Sequence, residues 1–416
     1  MSRTPQLGFV LICILLDALG IGLIVPVLPR LIGTLTDSAG AQTSWYGAMM
    51  LSYGLMQFVS SPVLGALSDR IGRRPILLAG ICGLGITFAV PAFCNDLTII
   101  LLSRIAGGML SANVAVAQAY IADITPAHAR SAAFGRIGAV FGIGFVLGPA
   151  MGGILGELDP TVAFQAASAV ALINFLYGLF VLPESLAPEH RKAALTVRRL
   201  NPLRSIGALF TVPATRFLVV TLMISSLANA LTQCTWALYT EYRYGFGTLQ
   251  IGLSVFALGL SIAVVQGFLL QRALRRHAPE SIARAVLAAG SLSLAVVALS
   301  PSGAAAAAAF CLFALAGAVA PLLTGAISRR TPINMQGTVI GSLSSLNSIT
   351  GALAPAAATP LLMVTAAHRA DILAGAPYLT GALLMATACA LFHAGSKRLK
   401  AIESETSLPL DDEDAQ

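Results

Sequence analysis

Residues 65–77, GALSDRIGRRPIL, decide how the rest of the chain is read. Five of these thirteen positions, Asp69, Arg70, Gly72, Arg73 and Arg74, combine charge with a turn-forming glycine, in a chain that is only 10% charged. Apolar runs close on it from both sides, 44–66 before and 75–94 after. Ions and unpaired backbone groups find no partners in hydrocarbon, so the segment must lie in water between two membrane-crossing helices. Asp69 and Arg73 stand at i and i+4, the spacing of an ion pair if the turn is helical. Pro62 and Gly65, just before it, allow a kink and close backbone approach.

Outward from this turn the chain keeps the same character. Its 416 residues are 56% hydrophobic, with a mean hydropathy of +0.83, whereas soluble domains are about one quarter charged. A span needs about 20 apolar residues. Twelve such runs lie near 7–30, 44–66, 75–94, 97–121, 132–156, 161–182, 213–239, 248–271, 281–300, 303–326, 336–362 and 372–394. The expected fold is all-α and polytopic, twelve transmembrane helices in two pseudo-symmetric six-helix bundles. The expected division is 1–182 for the first bundle, 183–212 for a cytoplasmic linker, 213–396 for the second bundle and 397–416 for a disordered acidic tail.

A net charge of +7 raises the question of a nucleic-acid partner, and its placement answers against one. With the N-terminus in the cytoplasm, 21 of the 25 Lys and Arg fall in cytoplasmic segments, three (Arg30, Arg243, Arg369) in outer loops, and Arg104 inside a span. That is the positive-inside pattern with both termini cytoplasmic. The first run resembles a signal peptide in charge and length, but Asp17 interrupts it and no A-x-A site follows, so it reads as the first span. The six cysteines fall in or near spans without a C-x-x-C pair, as packing residues do. No G-x-S-x-G, H-E-x-x-H, Walker loop or metal-spaced His cluster occurs, so neither an enzyme nor a cofactor or metal site is expected.

A few polar residues sit where lipid should exclude them. Asp17, about ten residues into the first run, lies near the midplane at 1.5 Å per residue, and it must face a polar cavity, pair with a partner, or hold a proton. A carboxylate hydrogen-bonded to neighbouring helices for structural reasons is the competing reading. Arg104 cannot be neutralised, so it needs an acidic or carbonyl partner, either in proton transfer or as an interhelix clamp. In the fifth run Gly144, Gly148, Pro149, Gly152 and Gly153 flatten one face and free a helix carbonyl, so another helix can pack closely. Tyr53, Gln57, Phe141, Asn229, Gln233, Trp236, Tyr239, Gln266 and Asn347 are candidate cavity linings for an aromatic, amphipathic ligand, although each alone also fits plain packing. The second half weakly repeats the first: Gly267-x-x-x-Gln271-Arg272-x-Leu274-Arg275-Arg276 matches Gly65-x-x-x-Asp69-Arg70-x-Gly72-Arg73-Arg74 at an offset of 202, and Gly341 and Pro355 mirror Gly135 and Pro149 at 206.

The pattern G-x-x-x-D-R-x-G-R-R-P resembles the loop 2–3 signature of the major facilitator superfamily of secondary transporters. The spacing Arg104-x-x-x-Gly108 resembles that family's helix 4 signature, and Gly144-x-x-x-Gly148-Pro149-x-x-Gly152-Gly153 resembles the signature of its proton-coupled exporters. Segments 15–31, 53–75, 120–130, 238–247 and 336–355 are similar to those of the tetracycline/proton antiporters, bacterial twelve-span drug exporters. The resemblance implies a conformational latch at Gly65, Asp69, Arg70, Gly72, Arg73, Arg74, Asp123 and Arg130, and proton coupling at Asp17 with Arg104. It also implies drug, protons and the bilayer as partners, a bacterial inner-membrane location and a working monomer; the alternative is a metabolite transporter of the same fold. That group carries acids in helices 3 and 9 and commonly a His in helix 8. Here Ile86 or Thr87 stands at the first position, Arg284 is the only charge in 282–300, and helix 8 has no His.

Overall fold

The structure, a computed structural model, describes residues 7–111, 113–126, 129–187, 189, 191, 207, 209, 210, 215–331, 336–369 and 371–406. Each expected run is a helix: α1 Leu7–Thr34, α2 Ala39–Ile71, α3 Arg73–Phe93, α4 Leu97–Ile124, α5 Arg130–Leu158, α6 Pro160–Val181, α7 Arg216–Tyr244, α8 Thr248–Leu274, α9 Pro279–Leu299, α10 Gly303–Arg329, α11 Gln336–Ala367 and α12 Ala376–Thr406. The boundaries follow local chemistry. Asp96 opens α4 by accepting from the N–H groups of Thr98 and Ile99 at 2.7 and 3.1 Å, and the donors of Ile99 and then Thr98 hold its carboxyl below the usual carboxylate range. Asp159 opens α6 in the same manner through Thr161. Gly72 joins α2 to α3 at φ +120°, and Gly245 ends α7 at φ +69°, conformations that other residues rarely adopt.

One expectation needs correction. The tail was expected to be disordered from 397, yet α12 continues to Thr406, because SKRLKAIESET contains no proline or glycine to stop it. The acidic end beyond it and most of the 183–212 linker lie outside the described residues.

Within the first half α1 packs on α5 and α6, α3 on α6, and α2 on α4; within the second, α7 packs on α11 and α12, and α9 on α12. The halves meet through α2 against α11 and α5 against α8. Their close approaches share one end of the molecule. Gln42 Nε2 donates to Glu241 Oε1 at 3.1 Å, Thr43 Oγ1 meets the Tyr242 hydroxyl at 3.0 Å, and the Tyr46 hydroxyl donates to the Cys234 carbonyl at 3.0 Å. Arg30 lies 3.6 Å from Glu157, whose carboxylate accepts from Thr248 at 3.1 Å. Gly54 leaves no room for a side chain against Ala352, nor does Gly252 against Pro149 and Gly153. Gly65, Gly135, Gly138, Gly142, Gly267 and Gly341 meet no atom within 4 Å, and neither do Gly40 and Gly245 near the opposite end. The hydrogen bonds between the halves thus gather at the end opposite the 65–77 turn, and the space between the halves toward that turn is the candidate cleft.

Candidate functional site

The charged turn is organised around Arg73, which is only 7% exposed. Its guanidinium reaches Asp69 at 2.6 Å, Asp123 of α4 at 3.0 Å and the Ser68 hydroxyl at 2.7 Å. Glu184, just past α6, accepts from the backbone N–H groups of Arg73 and Arg74 at 2.9 and 3.3 Å, placing an anion on the N-terminus of α3. Gly72 is required at that junction, because a side chain there would strike the Glu184 carboxylate. Arg74 donates to the Leu179 carbonyl at 2.6 Å. Arg70 is exposed, and the exposed Arg130 donates to the Thr125 carbonyl at 3.2 Å. The bonds of Arg73 and Arg74 all stay within the first half. Asp69, Arg73 and Asp123 were legible from the sequence; Glu184 was missed, since nothing in PES marks a residue that caps a helix more than a hundred positions earlier.

Asp17 points into the first bundle. Asn113 of α4 donates its amide to both carboxylate oxygens, at 3.2 and 3.1 Å, and the side chain remains partly exposed. Asn113 begins the second segment of α4, which breaks at Ser111. The opened turn is bound from α2: the Tyr53 hydroxyl donates to Ser111 Oγ at 2.8 Å, and Gln57 donates to the Ser111 carbonyl and hydroxyl at 3.1 Å each. Broken spans of this sort are tolerated at membrane depth only where protein or a cavity satisfies the freed backbone. The carbonyl of Cys13, one turn before Asp17, accepts from Asn174 of α6 at 2.9 Å and fixes α1 from the other side.

Arg104 differs from the expectation of an acidic or carbonyl partner. Its guanidinium lies 4.7 Å above the Tyr53 ring, and among the described residues it makes no ion pair. Gly107 and Gly108 permit this, because a side chain at Gly108 would strike the Tyr53 backbone carbonyl. A buried cation over an aromatic face gains about 2 kcal/mol, so an aromatic ring substitutes for the acid that the sequence called for.

The glycines of α5 divide between two neighbours. A Cβ at Gly144 would lie 2.7 Å from the Leu15 carbonyl oxygen, one at Gly148 would lie 2.7 Å from Gly22 Cα, and one at Gly152 would strike the Leu23 carbonyl. These three seat α1, the helix that carries Asp17. A Cβ at Gly153 would instead meet the Thr248 carbonyl oxygen at 2.7 Å, and the Pro149 carbonyl faces Gly252, both on α8 across the seam. Gly148→Val is accordingly expected to lower stability by about 1–3 kcal/mol through overpacking, seen as a lower melting temperature of the purified protein; unchanged melting would show that α1 can move away freely.

Of the candidate linings, Gln57, Gln233, Gln266 and Asn347 are exposed, and Tyr53, Phe141 and Asn229 are partly so. Asn347 accepts from Ser226 at 2.9 Å, joining α11 to α7, and Gln233 donates to Asn229 at 2.8 Å. Gln266 lies in a π-helical turn of α8 and donates to the Gly317 carbonyl at 3.2 Å. Phe141 stacks on Phe145 with centroids 5.9 Å apart. Trp236 and Tyr239 are corrected: they are 1% and 0% exposed, inside the second bundle. Trp236 stacks on Phe310 at 3.8 Å and donates to Ser254 at 2.8 Å, while Tyr239 donates to the Val297 carbonyl at 3.0 Å. Their polar atoms find partners within the core, so neither needs the cleft.

With this geometry in place, the comparisons with known proteins give a consistent answer. Residues 10–355 match the model of the Major Facilitator Superfamily. The chain is 36% identical to the class C tetracycline resistance protein of Escherichia coli, over 89% of this chain and 91% of that one. It is 33% identical to the class B protein of the same organism, over 83% and 85% of the two chains. Among solved structures it is similar to the human organic anion transporter MFSD10 (TETRAN), with a TM-score of 0.67 and 26% identity over 93% of this chain and 98% of that one. The fold also matches the nucleoside transporter NupG at a TM-score of 0.74 and 15% identity, over 94% and 99% of the chains. Relatives of this kind are transporters, not enzymes. The chain belongs to the Major Facilitator Superfamily.

Proposed function

We propose that this protein is a proton-driven exporter of amphipathic drugs, tetracycline-like molecules among them, in the bacterial cytoplasmic membrane. The observation that carries the reading is Asp17, a carboxylate far from either end of its span, held by one neutral amide and still partly exposed. Such a group can gain and lose a proton as access alternates. Protonation and drug occupancy exclude one another, Arg104 modulates the exchange, and the protein works as a monomer. On this reading the end rich in Lys and Arg is the open, cytoplasmic mouth of the cleft, and the conformation is inward-facing with both termini inside. The Arg73 network is the latch that engages the second half when this end closes. Drug contacts fall to Tyr53, Gln57, Phe141, Asn229, Gln233, Gln266 and Asn347.

The energetics suffice. One proton moving through about 100 mV releases about 2.3 kcal/mol, and one unit of pH adds about 1.4. Together they sustain a drug gradient of roughly a few hundredfold. A second reading, a proton-coupled transporter of an endogenous metabolite, is favoured by the likeness to an organic anion transporter. Purified protein in liposomes, given a pH gradient, is expected to accumulate labelled tetracycline and to lose it on adding a protonophore. Drug movement indifferent to the gradient would overturn the coupling, and metabolite flux without drug flux would favour the second reading.

A further inference from the structure

We propose that the cleft holds an anion site centred on Arg104 and takes its ligand as a metal-free amphipathic anion, such as an aromatic carboxylate or enolate. Arg104 is 9% exposed. Its Nε is enclosed with no acceptor in reach, and no described group accepts a hydrogen bond from its other nitrogens. An arginine cannot escape this by losing its charge, and an uncompensated buried ion is costly. The ring of Tyr53 beneath it offsets part of that cost, and a carboxylate would supply the remainder through the guanidinium's paired donors.

Among the described residues no acid pairs with Arg104. Asp17 is bound to Asn113, beyond the break of α4 at Ser111, and it makes no ion pair with Arg104. Both belong to the first half, so rocking of the halves does not bring them together. Asp123 is committed to Arg73, Glu157 to Arg30 and Thr248, and Glu241 to Gln42. A diffusible anion is the remaining candidate.

The location suits a ligand. Tyr46 and Tyr53 are seven residues apart, on one face of α2, and Tyr46 bonds the second half directly, so Arg104 lies beside the seam between the halves. Gln57 and Ser111 border the same tyrosine. Among the described residues no group of three His, Cys, Asp or Glu could hold a metal ion, so a drug–metal chelate carrying positive charge would meet a cation without a set of carboxylates. The inference rests on the reading of the cleft as the transport site.

The test is equilibrium binding to the purified protein in detergent, with EDTA and no ion gradient, using anthracene-2-carboxylate and the isosteric, uncharged anthracene-2-carboxamide. Wild type is expected to bind the carboxylate at least tenfold more tightly than the carboxamide. Arg104→Gln should erase that preference by weakening the carboxylate far more than the carboxamide, and Arg104→Lys should restore part of it. Equal binding of the two probes, failure to bind either, a preference surviving Arg104→Gln, or a requirement for Mg²⁺ would overturn the proposal. If Arg104→Gln does not fold, the wild-type pair and Arg104→Lys still decide. Absence of gradient-driven flux would sink the export reading without touching this result.

Discussion

The Asp17→Asn variant is expected to hold no drug gradient. In everted vesicles energised by a pH gradient, the few-hundredfold accumulation that about 3.7 kcal/mol can sustain should collapse to equilibrium. Downhill exchange of labelled for unlabelled drug should persist within a few fold. The geometry explains why the two activities separate. Asparagine keeps a carbonyl oxygen where Asn113 now donates at 3.2 and 3.1 Å, so α1 and α4 stay joined and the halves can still rock. What is lost is the capacity to carry a proton, which the neutral amide of Asn113, hydrogen-bonded to the carboxylate, does not replace. Asp17→Glu keeps the charge but lengthens the side chain, and a slower, still coupled transporter is expected. An Asp17→Asn protein that concentrates drug as wild type does would contradict the assignment.

The second large effect concerns Arg73. Arg73→Gln removes the cation between Asp69 and Asp123 and leaves two carboxylates, 27% and 20% exposed, facing one another. Breaking a largely buried pair of this kind costs about 3 kcal/mol, with a lowered melting temperature and a lower yield of monodisperse protein. Arg73→Lys should recover only part of the loss, because an ammonium cannot make the forked contact to Asp69, Ser68 and Asp123 together. Adding Asp123→Asn to Arg73→Gln should recover stability by removing the repulsion. Melting of Arg73→Gln at the wild-type temperature would show that the turn is held by its backbone alone.

How much of this was legible in the sequence depends on the kind of signal. All twelve spans could be found because runs of apolar residues this long have one use, and a charged turn between them has one place to be. The i, i+4 pair of Asp69 and Arg73 was readable because both residues lie on one local turn. Partners from distant segments were not. Glu184 at the start of α3 and Gln42 on Glu241 join segments more than a hundred positions apart, and no local pattern announces them. Arg104 was recognisably unusual, but its answer to burial, a tyrosine face, could not be told from the acid that charge balance calls for. Trp236 and Tyr239 went astray for a related reason. An amphipathic aromatic in a span suits a drug cleft or a core equally, and only the placement of Phe310, Ser254 and Val297 decides. The glycines of α5 were visible as a group, whereas their division between α1 and α8 required coordinates.

Asp17 is proposed to exchange its proton for drug. The most direct measurement is the acidification of a weakly buffered solution of purified protein when drug is added, with no membrane and no gradient. Wild type is predicted to release protons in proportion to the drug bound, and Asp17→Asn to bind drug and release none. Equal release from both proteins, or drug binding by wild type without any release, would contradict it.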